Sequence, residues 1–192
     1  LLTAARKKSA QALSKRVTES MQTLSMQGGV FVVDVAKGEP SAKGSDMIEF
    51  RVAGHPGVTP QAIQKVASGG ELARISLAIT VNTVESTPVP TLIFDEVDSG
   101  IGGAVAETVG RYLRLLAKNK QVLCVTHLPQ VAAQGHNHFQ VSKDISAQTT
   151  RSKIVQLEAK ARVEEIARML GGQVITEATR TAAHEMIASA NG

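Results

Sequence analysis

Three tips in this 192-residue chain carry groups that could do chemistry together. The first is Ser68-Gly69-Gly70-Glu71. It opens a stretch whose apolar residues Leu72, Ala73, Ile75, Ala78 and Ile79 recur at helical spacing through Val81. Ser68 can cap such a helix through its hydroxyl, and two residues without Cβ let another body approach the unpaired amides. Those amides carry the positive end of the helix dipole, so the spot suits a phosphate. A tight capped turn with no ligand would use the same residues. The second tip is Asp95-Glu96, two carboxylates behind the apolar run Thr91-Leu92-Ile93-Phe94. That run has the form of a fully buried parallel strand, and α/β sheets bind ligands at the C-terminal edge of such strands; plain solvent-facing acids would read the same way. The third is His127, which closes the strand-like run Gln121–Thr126, where a lone histidine is more often structural.

These tips need elements to hold them. Residues 1–27 read as one helix without Gly or Pro, with Leu13, Val17, Met21 and Leu24 on one face, and Gly28-Gly29 ends it. Val30–Val35 and Asp46–Val52 read as strands of an antiparallel hairpin around a polar loop, Lys37–Ser45, and Gly54–Gly57 is a turn. Thr87-Pro88-Val89-Pro90 stops the helix that follows Gly70. A glycine-rich connection, residues 97–103, leads to a helix over 104–118 with Val105, Val109, Leu113 and Leu116 in phase. A short helix over Leu128–Ala133 opens with Pro129. Strands Phe139–Ser142 and Lys153–Leu157 flank a polar loop, Lys143–Ser152. Helices near Lys160–Leu170 and Thr176–Ala190 close the chain, with Gly171-Gly172 as a C-cap.

Composition narrows the function classes. With 43% hydrophobic and 3% aromatic residues the core must be aliphatic, and no run reaches the ~18 apolar residues of a membrane span. The single cysteine, Cys124, excludes an internal disulfide and fits a reducing compartment, so the expected location is the cytoplasm. The opening residues lack the order of a signal peptide, and the missing initiator methionine suggests a start inside a longer protein. The excess positive charge lies in residues 1–20, which hold Arg6, Lys7, Lys8, Lys15 and Arg16 against Glu19 alone; residues 21–192 balance. A basic helix of this kind tracks nucleic-acid phosphates or forms the solvated face of a coiled coil. His127, His136 and His138 lack the Cys or carboxylate that would complete a zinc site. The one glycine-lysine loop, Gly38–Ser45, has Lys43 and Gly44 in the wrong order for a phosphate loop and joins two strands, so no P-loop is found.

The ordered set is more specific than its parts. It resembles the second half of an ABC-type ATPase head: signature motif, Walker-B strand, D-loop and switch histidine. More narrowly, Ala67–Arg74, Phe94–Ile101 and Val125–Ala132 resemble bacterial recombination-repair ATPases of the SMC (structural maintenance of chromosomes) kind, over nearly the whole chain. Ala73 stands where a serine is usual, and His55 where Asn normally precedes Pro-Gly.

The resemblance implies an α/β fold, the C-terminal lobe of an ABC/SMC-type P-loop NTPase head. A mostly parallel sheet flanked by helices would span 28–192, with the end of a returning coiled-coil helix at 1–27. It implies ATP and Mg²⁺ as cofactors: Asp95 holding the metal through a water, Glu96 orienting the attacking water, and His127 touching the γ-phosphate. Ser68, Gly69, Gly70 and Glu71 would bind the ATP of an opposing head, with Asp98 of the D-loop coupling the two sites. The implied partners are the N-terminal P-loop lobe of the same protein, a second copy through ATP-sandwiched heads, and DNA without sequence preference, near the bacterial nucleoid and not in a membrane. A transporter ATPase subunit shares the motifs, but should carry its P-loop in the same short chain and lack the basic helix. A clamp that binds ATP without hydrolysis would not need Glu96.

Overall fold

The computed structural model describes residues 1–66, 68–145, 150–172 and 174–191; Ala67, at the head of the serine–glycine stretch, lies outside them. In chain order the elements are α1 (Leu2–Gln22), β1 (Val30–Ser41), β2 (Gly44–Ala53), β3 (Gln61–Ala62), α2 (Gly69–Thr83), β4 (Thr91–Phe94), α3 (Gly103–Leu116), β5 (Gln121–Cys124), α4 (Pro129–Ala132), β6 (Phe139–Ile145), β7 (Thr150–Gln156), α5 (Ala159–Gly171) and α6 (Glu177–Asn191).

The first helix is shorter than the periodicity predicts. It stops at Gln22, where the Thr23 hydroxyl donates to the Ser20 carbonyl at 2.8 Å, and Ser25 turns left-handed with φ 65. Leu24 and Met26 are buried, but from this turn and not from the helix. The expected stripe of Val17 and Met21 is buried too, against the lobe itself. Ser14 and Thr18 accept hydrogen bonds from the Val33 and Phe31 amides at 2.9 Å each, which occupies donors along β1. Farther up, Arg6 donates to Asp46 at 2.8 Å and holds that carboxyl below its usual range, with Thr3 adding a hydrogen bond.

β1 and β2 form the expected antiparallel hairpin, Val30↔Ala53 through Lys37↔Asp46. The polar loop predicted at Lys37–Ser45 is mostly strand: pairing runs on to Ser41↔Gly44, and Gly44 at φ 100 takes the tight turn. Antiparallel pairing is made by backbone groups, so an exposed hairpin needs no apolar side chains at its tip. The same reason corrects the second predicted loop. β6 and β7 pair from Phe139↔Gln156 to Ile145↔Thr150, well into Lys143–Ser152, and residues 146–149 of that stretch lie outside the described residues.

Parallel pairing among the described residues is confined to β4 and β5, in register from Thr91↔Gln121 to Phe94↔Cys124. Leu92, Phe94, Val122 and Cys124 of this pair pack on the main core, built around Met21, Phe31, Ile75, Leu77, Val97, Val109 and Leu116. The opposite face is bare: Ile93 is 73% exposed, Leu123 48% and Val125 64%. The fully buried strand expected from composition is therefore buried on one side only. A smaller core of Ala132, Ala133, Val163, Ile166, Ala167 and Ala183 joins α4 to the closing helices. Gly172, at φ 67, caps α5 as expected, its N–H donating to the Arg168 carbonyl.

Candidate functional site

Helix α2 begins as its residues dictate. Ser68 is the N-cap in extended conformation, its Oγ accepting the Glu71 N–H at 3.4 Å and its carbonyl the Leu72 N–H at 3.0 Å. The first-turn amides of Gly69 and Gly70 find no acceptor among the described residues, as the opening of a helix requires. The buried face differs from the predicted stripe. Gly70, Arg74, Ile75, Leu77 and Ala78 are buried, while Leu72, expected inside, is 39% exposed. Leu72 instead borders a cleft of about 320 Å³ with Gly69, Ala73, Ser76, Ile93, Phe94 and Asp95.

The two glycines have different neighbours. A Cβ on Gly69 would stand 2.9 Å from Glu96 Oε2, the movable end of a side chain. On Gly70 it would meet the Ser99 carbonyl at 3.0 Å, Ser99 Cβ at 3.1 Å and Arg74 Nη1 at 3.2 Å, in a packed interior. Gly70→Ala is therefore expected to push α2 off the 98–100 loop and destabilise the fold by about 1–3 kcal/mol, whereas Gly69→Ala should cost little. Urea melts of the two variants check this; equal midpoints would show that α2 does not need its close approach to Ser99.

At the end of β4, Asp95 Oδ1 accepts the Glu96 N–H at 3.0 Å, and the Ser99 N–H donates to the Glu96 carbonyl at 3.0 Å. These bonds close a turn over 96–99 in which Glu96 is left-handed, φ 58. That backbone is strained for a residue with a Cβ, and such strain gathers at functional sites. The Glu96 carboxylate consequently comes against Gly69, so two groups expected to serve different ATP sites lie side by side.

Asp98, in the same turn, points inward and is 2% exposed. Its Oδ2 accepts the Thr126 hydroxyl at 2.5 Å and the His127 N–H at 3.2 Å, and lies 3.5 Å from His127 Nδ1. The carboxylate expected to reach a second head is thus engaged within its own chain. Thr126 Oγ1 in turn accepts the Leu128 N–H at 3.0 Å, which fixes the exit from β5. The imidazole of His127 is otherwise open to solvent. Burial, followed by the nearby Asp98 and Asp95 carboxylates, pushes the Cys124 thiol up to about 12, so it stays neutral beneath these acids.

Sequence reasoning gave no role to Arg74 or Thr126. Arg74 is 7% exposed, its Nη1 donates to the Ser99 carbonyl at 2.7 Å, and its Nε is buried without a partner. Burial lowers its pKa, and Glu71 partly opposes that shift. The available signal was positional: Arg74 sits one turn after Gly70 and one turn before Ala78, on the buried face. Glu71 itself faces away from the tips, its Oε1 4.0 Å from His55 Nε2.

A helix N-terminus, two carboxylates directly after β4 and a histidine three residues past the end of β5, which stops at Cys124 and not at Thr126 as expected, thus meet at one edge. No family model matches the chain. Its fold is that of SMC ATPase head domains. The Smc head of Pyrococcus yayanosii superposes with a TM-score of 0.61 at 22% identity, over 83% of this chain and 29% of that one. A chain solved in work on ATP-driven dimerisation and DNA-stimulated activation of SMC ATPases gives 0.54 at 22% identity, over 90% of this chain and 99% of its own. Within that class the sequence is RecN-like. It is 47% identical to DNA repair protein RecN of Xylella fastidiosa (strain Temecula1 / ATCC 700964) over 189 residues, 97% of this chain. The chain spans about a third of that relative's length (34%), consistent with the C-terminal part of a RecN.

Proposed function

We propose that this chain is the C-terminal lobe of an ATP-hydrolysing head in a RecN-type DNA repair protein. Two such heads would close on ATP and separate after hydrolysis. The observation that carries this reading is the meeting of the α2 N-terminus, the Asp95-Glu96 tip and the His127 tip at one edge, held by the 96–99 turn.

The residues present fit a nucleotide phosphate and its metal. The amides of Gly69 and Gly70 and the Ser68 hydroxyl offer donors at the positive end of α2, with Glu71 completing the first turn. They would take the γ-phosphate of ATP carried by the opposing head. Asp95 spends one carboxylate oxygen on its neighbour's N–H, and the other is available to a hydrated Mg²⁺, which prefers carboxylates and keeps much of its water. When bound, that ion neutralises charge on the phosphates. Glu96 orients the attacking water and takes its proton; its exposure, and the lack of a hydrogen-bond partner for its carboxylate among the described residues, allow it to swing from Gly69 toward a substrate. His127 offers its outward ring edge to the γ-phosphate.

The P-loop belongs, on this reading, to an N-terminal lobe of the same protein. The bare face of β4 and β5 supports that partner: Ile93, Leu123 and Val125 lie exposed on one side of a parallel pair, and parallel sheets are covered on both faces. Residues 1–27 would end a coiled-coil arm seated on the lobe 28–192. Lys7, Lys8, Lys15 and Arg16 remain exposed on α1 and would contact DNA phosphates without reading sequence, while Arg6 is committed to Asp46. Such a protein works in recombinational repair of double-strand breaks, in the bacterial cytoplasm beside the nucleoid. No helix of the described residues is long and apolar enough to cross a membrane.

Mixing this chain with a separately produced P-loop lobe and following phosphate release tests the proposal. The chain alone should be inactive, because its sequence carries no P-loop motif to cradle the β-phosphate, and the mixture should turn over ATP with Mg²⁺. A purified chain that hydrolyses ATP alone, and loses this on Glu96→Gln, would overturn the division of labour between lobes. A mixture that binds ATP and stays silent would mark the head as a clamp.

A further inference from the structure

Only Leu128 separates His127 from α4, a helix of one turn. Four residues make too few bonds to hold a helix in water, so the place of α4 is set from outside. Carbonyls at a helix end have no partner within the helix and carry its negative pole. Here two arginines from other helices meet them. Arg162, on α5, donates through Nη2 to the Gly135 carbonyl at 2.6 Å and the Ala133 carbonyl at 2.9 Å, with the Ala132 carbonyl at 3.5 Å. Arg114, on α3, donates through Nη1 to the Gln134 carbonyl at 2.6 Å. The same segment presses on α3 at Gly110, where a Cβ would stand 2.6 Å from Gln134 Cγ and 3.2 Å from the Gln130 carbonyl.

We infer that Arg162 and Arg114 are positioning residues for His127: by clamping the end of α4 between α5 and α3, they fix the backbone from which the histidine projects. The inference rests on the functional reading above, in which His127 meets the γ-phosphate, and adds to it the closing helices as part of the frame of the site. The imidazole is 71% exposed, so packing holds it little and its backbone decides where it stands. On the near side that backbone is tied by the His127 N–H on Asp98 and the Leu128 N–H on Thr126. On the far side it runs straight into α4, whose Val131 belongs to the main core and whose Ala132 belongs to the smaller one. The cost of the clamp shows that it does more than fill space. Arg162 has a buried Nε without a partner, and burial, followed by the neighbouring Arg114, pushes its pKa down. Two cations crowded together and partly desolvated are unfavourable, and an apolar side chain would fill the volume without that penalty. What the arginines supply, and an apolar residue cannot, is a set of donors for four successive carbonyls.

The test uses the complete RecN-type protein with Arg162→Met, with Arg162→Lys as the variant that keeps charge and a donor, and with Ile187→Ala as a control. Ile187, on α6, packs on the same smaller core, so its truncation costs stability while leaving the donors to the 132–135 carbonyls in place. Arg162→Met should lower kcat about tenfold with little change in KM for ATP, since a displaced group near the reacting atoms costs rate while the P-loop still binds the nucleotide. Arg162→Lys should recover part of that loss, and Ile187→Ala should melt earlier yet turn over at the parent's rate. Histidine-labelled samples give a readout without turnover: the ring-nitrogen and amide shifts of His127 should move in both Arg162 variants and stay in Ile187→Ala. Unmoved His127 shifts in the Arg162 variants overturn the inference. So does a kcat loss in Ile187→Ala equal to that in Arg162→Met, which would leave Arg162 a stability residue only. Should Arg162→Met fail to fold, the shifts of Arg162→Lys decide. A parent protein that neither dimerises with nor hydrolyses ATP overturns the functional reading instead, and the histidine shifts still decide whether Arg162 positions His127.

Discussion

Glu96→Gln in the complete protein is expected to leave ATP binding and head closure intact while turnover falls about 10²–10⁴-fold, the usual scale for a removed acid–base group. Glutamine keeps the size and most of the hydrogen bonding of glutamate but cannot draw a proton from water. The backbone at Glu96 is left-handed, and the turn is closed by main-chain groups and Asp95 Oδ1, none of which the substitution touches. The introduced glutamine would stand where Glu96 stands, so the loss would be chemical and not structural. Phosphate release and light scattering with ATP check the two halves: slow release with a persistent closed dimer is the expected pair. Turnover near the parent's rate would remove Glu96 from the mechanism.

Ser68→Arg should give the opposite pattern: ATP bound by each head through its own P-loop, and no ATP-driven dimer. The substitution places bulk and a guanidinium at the mouth of α2, where the opposing phosphate must reach the Gly69 and Gly70 amides. It also removes the cap on the Glu71 N–H, worth about 0.5–2 kcal/mol to the helix. Ser68→Ala separates these effects, since it loses the cap without blocking the mouth and should still dimerise, more weakly. The Ser68→Arg, Glu96→Gln double variant should behave as Ser68→Arg, because closure precedes hydrolysis. If Ser68→Arg dimerises with ATP as readily as the parent, α2 does not face the partner's phosphate.

Local signals made part of this legible. A serine before two glycines marks a helix start whatever surrounds it, and the proline-bounded run before Asp95 ends at Phe94 as read. Gly172 and Pro129 act through their own backbone constraints, so α5 and α4 end and begin near where the residues say. Strand length in polar hairpins was not legible. Lys37–Ser41 and Lys143–Ile145 pair through backbone groups that look alike in every residue, and their partners lie elsewhere in the chain. The end of α1 was missed for a related reason: Leu24 continues the apolar stripe of Leu13, Val17 and Met21, and only packing against the lobe shows that a turn delivers it.

The sequence by itself determined the order of the elements and which polar groups stand at their ends, because caps, periodicity and glycine or proline constraints act within a few residues. Only the tertiary structure decided where those groups point. Asp98 turns inward because the Thr126 hydroxyl and His127 N–H, on another strand, satisfy its carboxylate. Arg74 can lie on a buried face because the Ser99 carbonyl meets it there. Glu96 rests against Gly69 because a left-handed turn after β4 aims it at a helix start that has no side chain in the way. Each of these depends on segments far apart in the chain being packed together, and no short-range pattern of residues records that.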